Sequence, residues 1–309
     1  MIKKTIESFK NEGFIKTIQK IYLAIYYWQK AFRRNFIFFF HKLKARNGRY
    51  LKTIHGNRML LNINDVGISK ELILTGIHEK NSTAYFKTII KEGMQIGEFG
   101  ANIGYYALLA SNLVGNNGKI YAFEPSPVNF KELEQNIALN KKESYFNLIN
   151  KGIGAENTVM KFYISTKGNM SSFIEREESG EIKNIEVIDV QVIKADDYFK
   201  DKPLDFVRMD VEGFETDIIK GMHEILSRPG KPAGLFIEVH SELLHRRNSS
   251  AGEFVKHLAG YGYEVEKAFY RGRADNQVSS TAELLNHKNL EKGYWEAFFS
   301  MKTDNQWQK

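Results

Sequence analysis

Glu98-Phe-Gly-Ala-Asn-Ile-Gly104, followed by Ala122-Phe-Glu-Pro125, is the stretch from which the rest of the chain can be ordered. The apolar approach at Met94 to Ile96 predicts a buried parallel strand. Gly100 and Gly104 permit a tight turn, and Tyr105 to Leu113 supplies a helix whose N-terminus faces a ligand. Glu124 closes the next predicted strand, Lys119 to Phe123. An acid about 20 residues past a glycine-rich turn can accept hydrogen bonds from both ribose hydroxyls of a nucleoside cofactor.

A dinucleotide fold uses the same strand, turn, helix and acid, but its fingerprint is G-x-G-x-x-G, which lets bare backbone press on a pyrophosphate. Here Gly97, Gly100 and Gly104 have other gaps, and Glu98 lies among them. A carboxylate beside a pyrophosphate is repelled, whereas beside the ammonium group of S-adenosylmethionine it is attracted. The pattern therefore favours a methyl donor over a dinucleotide; an ordinary βα turn with no ligand is the plainer alternative.

With 309 residues, 42% hydrophobic and 13% aromatic, the chain can build one large α/β domain plus an appendage. The absence of cysteine excludes disulfides, thiolate zinc sites, iron–sulfur clusters and a cysteine nucleophile, and it fits a reducing cytoplasm. The formal charge of +7 is concentrated at one end. Residues 1–52 hold 13 Lys/Arg against Glu7 and Glu12, which leaves 31 basic against 35 acidic residues in the remainder. A mildly acidic body argues against nucleic acid, which would need a basic groove across the domain.

In the N-terminal arm, Phe14, Ile18, Ile21, Tyr22, Ile25, Trp28, Phe32, Phe36, Phe39 and Leu43 recur at helical spacing, opposite Lys16, Lys20, Lys30 and Arg34. Lys30, Arg33 and Arg34 interrupt the apolar run well short of the roughly 20 residues that a membrane span needs, and the charged start lacks a signal-peptide cleavage pattern. Two readings follow. Residues 14–46 anchor the chain at an anionic membrane surface, which would make it a cytoplasmic protein peripheral to the inner face of the membrane, or the helix packs on the body or on a second copy.

Three regions are expected: the basic helical arm at 1–48, a hairpin and helix at 49–92, and a cofactor-binding domain at 93–309. Tyr50 to Ile54 and Arg58 to Ile63 flank His55-Gly-Asn57 as a hairpin, and Ser82 to Lys91 reads as a helix capped by serine. Strands at 94–99, 119–123, 145–150, 205–210, 233–239 and 262–267 then alternate with helices at 103–114, 127–140, 214–226 and 250–260. An excursion at 157–193 interrupts them. Such alternation means a doubly wound, mostly parallel sheet, and Trp295 to Met301 suits an antiparallel strand in its edge region. Gly168 to Lys183 and Arg271 to Thr281 read as loops near a substrate.

Five ordered segments carry a close resemblance to the FkbM-type family of S-adenosylmethionine-dependent methyltransferases, over roughly residues 50 to 300. They are Gly93 to Tyr106, Ala122-Phe-Glu-Pro-Ser-Pro127, Asn136-Ile-Ala-Leu-Asn140, Met209-Asp-Val-Glu-Gly-Phe-Glu215 and Ile237-Glu-Val-His240. Glu98 stands where that family commonly has aspartate, and residues 1–48 are not covered. The resemblance implies a Rossmann-like class I methyltransferase sheet, with Glu98, Gly100, Ala101, Asn102 and Gly104 lining the methionine half of the cofactor. It also implies Glu124 on the ribose, with Pro125, Ser126 and Asn129 bordering the adenosine. Gly152, just past the third strand, is placed for backbone to approach the adenine.

Methyl transfer from a sulfonium is an in-line displacement, so the protein must align the acceptor, exclude water and take a proton. Asp210 closes the fourth core strand, and Glu238 and His240 close the fifth, at the carboxyl edge where open α/β sheets bind ligands. Asp210 or His240 is the expected proton acceptor or orienting group. Asp210, Glu212, Glu238 and His240 are candidate ligands for Mg²⁺, and the plainer alternative is that these acids cap a helix and pair with Arg208. The leading expectation is O-methylation of a sugar hydroxyl in a glycan or glycolipid. RNA or other N-methylation and a non-catalytic cofactor-binding protein are the alternatives, and a homo-oligomer is left open.

Overall fold

The computed structural model describes residues 14–165, 171–174 and 185–301. A 31-residue helix α1 (Phe14–Lys44) leads into an antiparallel hairpin, β1 (Arg49–Ile54) and β2 (Asn57–Asn62), and then into helices α2 (Ile68–Thr75) and α3 (Lys80–Ile89). Glu79, not a serine, occupies the N-cap of α3; the Ser82 hydroxyl instead donates to Glu296 Oε2.

The core alternates as its apolar runs predict: β3 (Gln95–Phe99), α4 (Tyr105–Ser111), β4 (Lys119–Phe123), α5 (Pro127–Leu139), β5 (Phe146–Ile149). After an excursion come β9 (Phe206–Met209), the short helices α7 (Glu215–Gly221) and α8 (His223–Ser227), and β10 (Gly234–His240). One continuous helix was expected over 214–226. The chain bends at Met222, whose left and right neighbours belong to separate helical turns. Helices α9 (Ser241–Arg246) and α10 (Ala251–Gly260), β11 (Tyr263–Tyr270), β12 (Gln277–Val278), α11 (Thr281–Leu285) and β13 (Tyr294–Met301) complete the chain.

The main sheet runs β12-β11-β13-β10-β9-β3-β4-β5. Strands β10, β9, β3, β4 and β5 pair in parallel, and β13 slots antiparallel between β10 and β11. The excursion holds β6 (Gly152–Gly154), β7 (Thr158–Ser165), β8 (Ile185–Lys194) and the helical turn α6 (Ala195–Tyr198). Its three strands form a separate sheet, β6-β8-β7. Most of the loop expected over 168–183 lies outside the described residues.

Two apolar clusters pack on the two faces of the main sheet, and a period of two sorts each strand between them. Val207, Met209, Leu235, Ile237, Trp295 and Phe299 enter one cluster, whereas Ile96, Phe206, Phe236 and Phe298 enter the other. Glu98, Arg208, Glu238 and Glu296 fall on the second face at the carboxyl end of the parallel strands. Glu98 pairs in register with Arg208, and Glu238 with Glu296. Two charged pairs thus share that face, offset by two residues because Arg208 pairs in register with Phe236 rather than Glu238.

Candidate functional site

The carboxyl ends of β3, β4, β9 and β10 open into a cavity of about 880 Å³, near the upper end of the ~300–1,000 Å³ typical of small-molecule sites. Gly100 builds the turn after β3 with φ +83, and a Cβ there would lie 2.0 Å from the Asp210 carbonyl oxygen. No side chain can replace it while β3 and β9 keep this separation. Glu79, Asn102, Glu212 and Arg271 all line the cavity with left-handed backbone at φ 46 to 51, a conformation that costs non-glycine residues energy and collects at functional sites.

On the β3–β4 side, Gly100, Ala101, Asn102, Glu124, Pro125, Asn129 and Gly152 reach the cavity. Glu124 Oε2 accepts from the Asn102 backbone N–H at 2.8 Å, and Oε1 accepts from Ser126 N–H at 2.9 Å. Burial nevertheless pushes this carboxyl up to about 7. Each oxygen keeps acceptor capacity toward the cavity, which fits a pair of ribose hydroxyls. A Cβ on Gly152 would lie 2.5 Å from the Phe173 ring, so this glycine makes room for an aromatic wall. That wall is Phe173, with its ring centroid 4.9 Å from Phe214 and 4.8 Å from Phe162. An apolar aromatic wall and a hydrogen-bonding carboxylate lining one cavity are surfaces suited to a base and a ribose.

Glu98, Gly104 and Ser126 lie behind the cavity wall. Glu98 is fully buried and pairs with Arg208 Nη1 at 3.0 Å. Gly104 caps α4 with φ 93, its Cα hydrogen directed at Leu133, and Ser126 Oγ caps α5 by accepting from Asn129 N–H. They make one ion pair and two helix starts.

The β9–β10 side is charged. Arg208 lies under the Tyr106 ring, 4.5 Å from its centroid, and reaches Glu98 with Nη1 and Asp210 Oδ2 with Nη2 at 2.9 Å. Burial opposes its charge, but Glu98, Asp210 and Glu79 hold it protonated more firmly than usual. Burial lifts Glu98 to about 7 against the pull of Arg208, and its Oε2 has no hydrogen-bond partner. His240 Nδ1 lies 2.9 Å from Glu215 Oε1, and Nε2 lies 3.3 Å from Glu212 and 3.6 Å from Glu238. Burial works against the imidazolium, yet Glu212, Glu238 and Glu215 raise its pKa well above the ordinary value. These carboxylates thus favour the imidazolium form of His240. Burial, then Asp210, pushes Glu238 well up.

Sequence reasoning gave no role to the opposite wall, which α2 and the turn into α3 supply. Glu79 accepts from Tyr106 Oη at 2.8 Å and pairs with His78 Nε2 at 3.0 Å, while His78 Nδ1 lies 2.6 Å from Glu71. Burial disfavours both charges, but each stabilises the other: His78 is held up at about 10 and Glu79 down at about 2. Glu296, lifted by burial to about 8, closes the floor. A signal for Glu296 was present, an isolated acid inside the apolar run Tyr294 to Met301. For Glu79 there was none, because its part depends on the fold of the chain ahead of the sheet.

Among the described residues, two groups of side chains bring ligand atoms within 4.8 Å of one another: Asp210, Glu212 and His240, and Glu79, Asp210 and Glu238. The first needs His240 to shed its proton before a cation could bind.

A family model described as "Methyltransferase FkbM domain" matches residues 98–265. The methyltransferase sdnD of Sordaria araneosa is 29% identical over an alignment covering 42% of this chain, and the chain spans 60% of the length of that curated relative. Among solved structures, a putative rRNA-methylase from Clostridium thermocellum aligns with TM-score 0.44 and 12% identity, covering 72% of this chain and 93% of that one. Fibrillarin from Aeropyrum pernix, solved with natively bound S-adenosylmethionine, gives 0.38 and 14% over 71% and 74%. An S-adenosylmethionine-dependent O-methyltransferase from Thermotoga maritima gives 0.40 and 14% over 73% and 66%.

Proposed function

The chain belongs to the FkbM methyltransferase family, with an S-adenosylmethionine-dependent methyltransferase domain, and from that premise we propose that the whole protein O-methylates a sugar hydroxyl of a glycan or glycolipid. One observation carries this reading. The Glu124 carboxylate and the Asp210–Glu238 carboxylates face a single cavity from opposite halves of the sheet edge, a nucleoside holder across from a proton acceptor. When bound, S-adenosylmethionine supplies an electrophilic methyl on a sulfonium. Glu124 would accept from the ribose hydroxyls, and Phe173 and Ile153, which line the same cavity, would flank the base.

Asp210 would take the proton of the acceptor hydroxyl, which Glu238 helps to orient, as oxygen bonds to the methyl carbon and the carbon–sulfur electron pair leaves with sulfur. Arg208 keeps Asp210 in place. The rim suits a polyhydroxyl ligand, since Glu71, Lys80, Glu242, Arg246 and Arg271 present charged donors and acceptors of both kinds. Incubation with S-adenosylmethionine and panels of glycans, RNA and protein should yield S-adenosylhomocysteine and a product one CH₂ heavier only with the glycans, methylated on oxygen. Methylation confined to nitrogen or carbon overturns the proposal.

A divalent cation belongs to the same reading. Glu79, Asp210 and Glu238 would hold it as an all-oxygen set, the chemistry Mg²⁺ prefers, with Glu238 giving up its proton on binding, and it would stabilise the deprotonated hydroxyl. Chelation should then abolish turnover and Mg²⁺ restore it; turnover indifferent to chelator removes the metal.

The raised Glu124 carboxyl makes cofactor affinity pH-dependent. Below about 7 it is protonated and loses an acceptor, so S-adenosylhomocysteine should bind more weakly by up to about tenfold per pH unit as pH falls. The unliganded protein responds oppositely. A folded-state pKa above the ordinary 4.5 contributes stability that is fully present below 4.5 and is lost as pH rises through about 7. Calorimetric titration from pH about 6 to 8 tests this; a flat affinity, or an unchanged slope in Glu124→Gln, contradicts it.

A further inference from the structure

Helix α1 carries a surface that the catalytic body does not use. At about 100° per residue, Ile21, Ile25, Trp28, Phe32, Phe36 and Phe39 fall in one stripe. Each is 40–67% exposed, and the Trp28, Phe32 and Phe36 rings stack in sequence at 5.7 and 6.3 Å. Phe38 lies on the other side of the helix and is 7% exposed, with Lys42 and Lys70 ammonium groups 5.4 and 5.1 Å from its ring centroid. Asn35 accepts from Lys70 at 3.4 Å, and His41 Nδ1 lies 2.9 Å from Tyr50 Oη. The arm is therefore moored to the body through Phe38 and His41, away from the stripe, and through Asn35 at the stripe's margin. Packing on its own catalytic domain does not explain the aromatic face.

We infer that this stripe seats on an anionic lipid surface. Charge selects the occupant: residues 14–44 contain Lys16, Lys20, Lys30, Arg33, Arg34, Lys42 and Lys44 and no acid. The same helix from a second copy would oppose cation to cation with no carboxylate to pair, and Trp and Phe are too bulky for the seam of a two-stranded coil. Anionic headgroups neutralise those cations while the rings enter the headgroup boundary. No described helix is long and apolar enough to cross a membrane, so α1 lies in the plane of the interface. The inference rests on the arm alone and is independent of the methyl-transfer proposal.

The test is co-sedimentation of the full chain with vesicles of phosphatidylcholine alone or mixed with phosphatidylglycerol. Binding is expected to the anionic vesicles, weaker by about tenfold or more on phosphatidylcholine alone and in high salt. The variant Phe32→Glu/Phe36→Glu changes only exposed positions. It should keep the wild-type melting temperature and cofactor affinity while losing vesicle binding by about tenfold or more. Equal binding to both vesicle types, or none to either, overturns the inference. So does a dimer seen by light scattering without lipid that the double variant dissociates, because the stripe would then belong to a second copy.

Discussion

Replacing Arg208 with Met is expected to cost about 3–5 kcal/mol of folding stability, the usual consequence of leaving a buried charge without its partner. Arg208 and Glu98 side chains are 5% and 1% exposed, so water cannot take over the ion pair. Glu98 Oε2 already has no hydrogen-bond partner, and removing the guanidinium would strip Oε1 as well. The apolar replacement fits the Tyr106–Phe236 slot in shape, which isolates the electrostatic loss from a cavity. Urea unfolding measures the effect, and Glu98→Gln/Arg208→Met should recover part of it through a coupling of more than about 1 kcal/mol between the two sites. A single-variant loss below about 1 kcal/mol would mean that Glu98 is carried neutral and that the pair contributes little.

Asp210→Asn is expected to lower kcat by about 10²–10⁴, the range for removing a proton-transfer group, while S-adenosylhomocysteine affinity changes little. Asparagine keeps the shape and can still meet Arg208 with its amide oxygen, but it cannot take a proton. The nucleoside side, Glu124, Asn102 and Phe173, does not contact Asp210 through any side-chain hydrogen bond among the described residues. Turnover with the glycan acceptor and calorimetry with the product cofactor separate the two quantities. A loss in kcat of less than about tenfold would remove Asp210 from the proton-acceptor role.

The glycine turn, the acid at the end of β4 and the acids at the ends of β9 and β10 were legible because each is local. A strand, a turn and a helix N-terminus are written within about a dozen residues, and parallel order sends every strand's carboxyl end to one edge. Glu124, Asn102, Asp210 and Glu238 were placed by that rule and all reach the cavity. The same rule could not say which side chains turn inward. Glu98, positioned to meet a cofactor ammonium group by its place in the turn, points instead along the sheet face. There β9 sets Arg208 in register beside it, and a buried carboxylate takes the nearest buried cation. Around His240 the fold gathers Glu212, Glu215 and Glu238, which raise its pKa and which no local pattern brings together.

Sequence by itself determined the alternating α/β order, the nucleoside-type turn, the line of acids along one edge and the basic aromatic arm, since all depend on spacing within single elements. Only the tertiary structure decided that Glu79 and His78 form the far wall, that Arg208 ties Glu98 to Asp210, and that Phe38 rather than the aromatic stripe holds the arm to the body. Those outcomes rest on desolvation and pairing between residues distant in the chain. A charge's cost and its partner are properties of the assembled interior, so no local pattern can carry them.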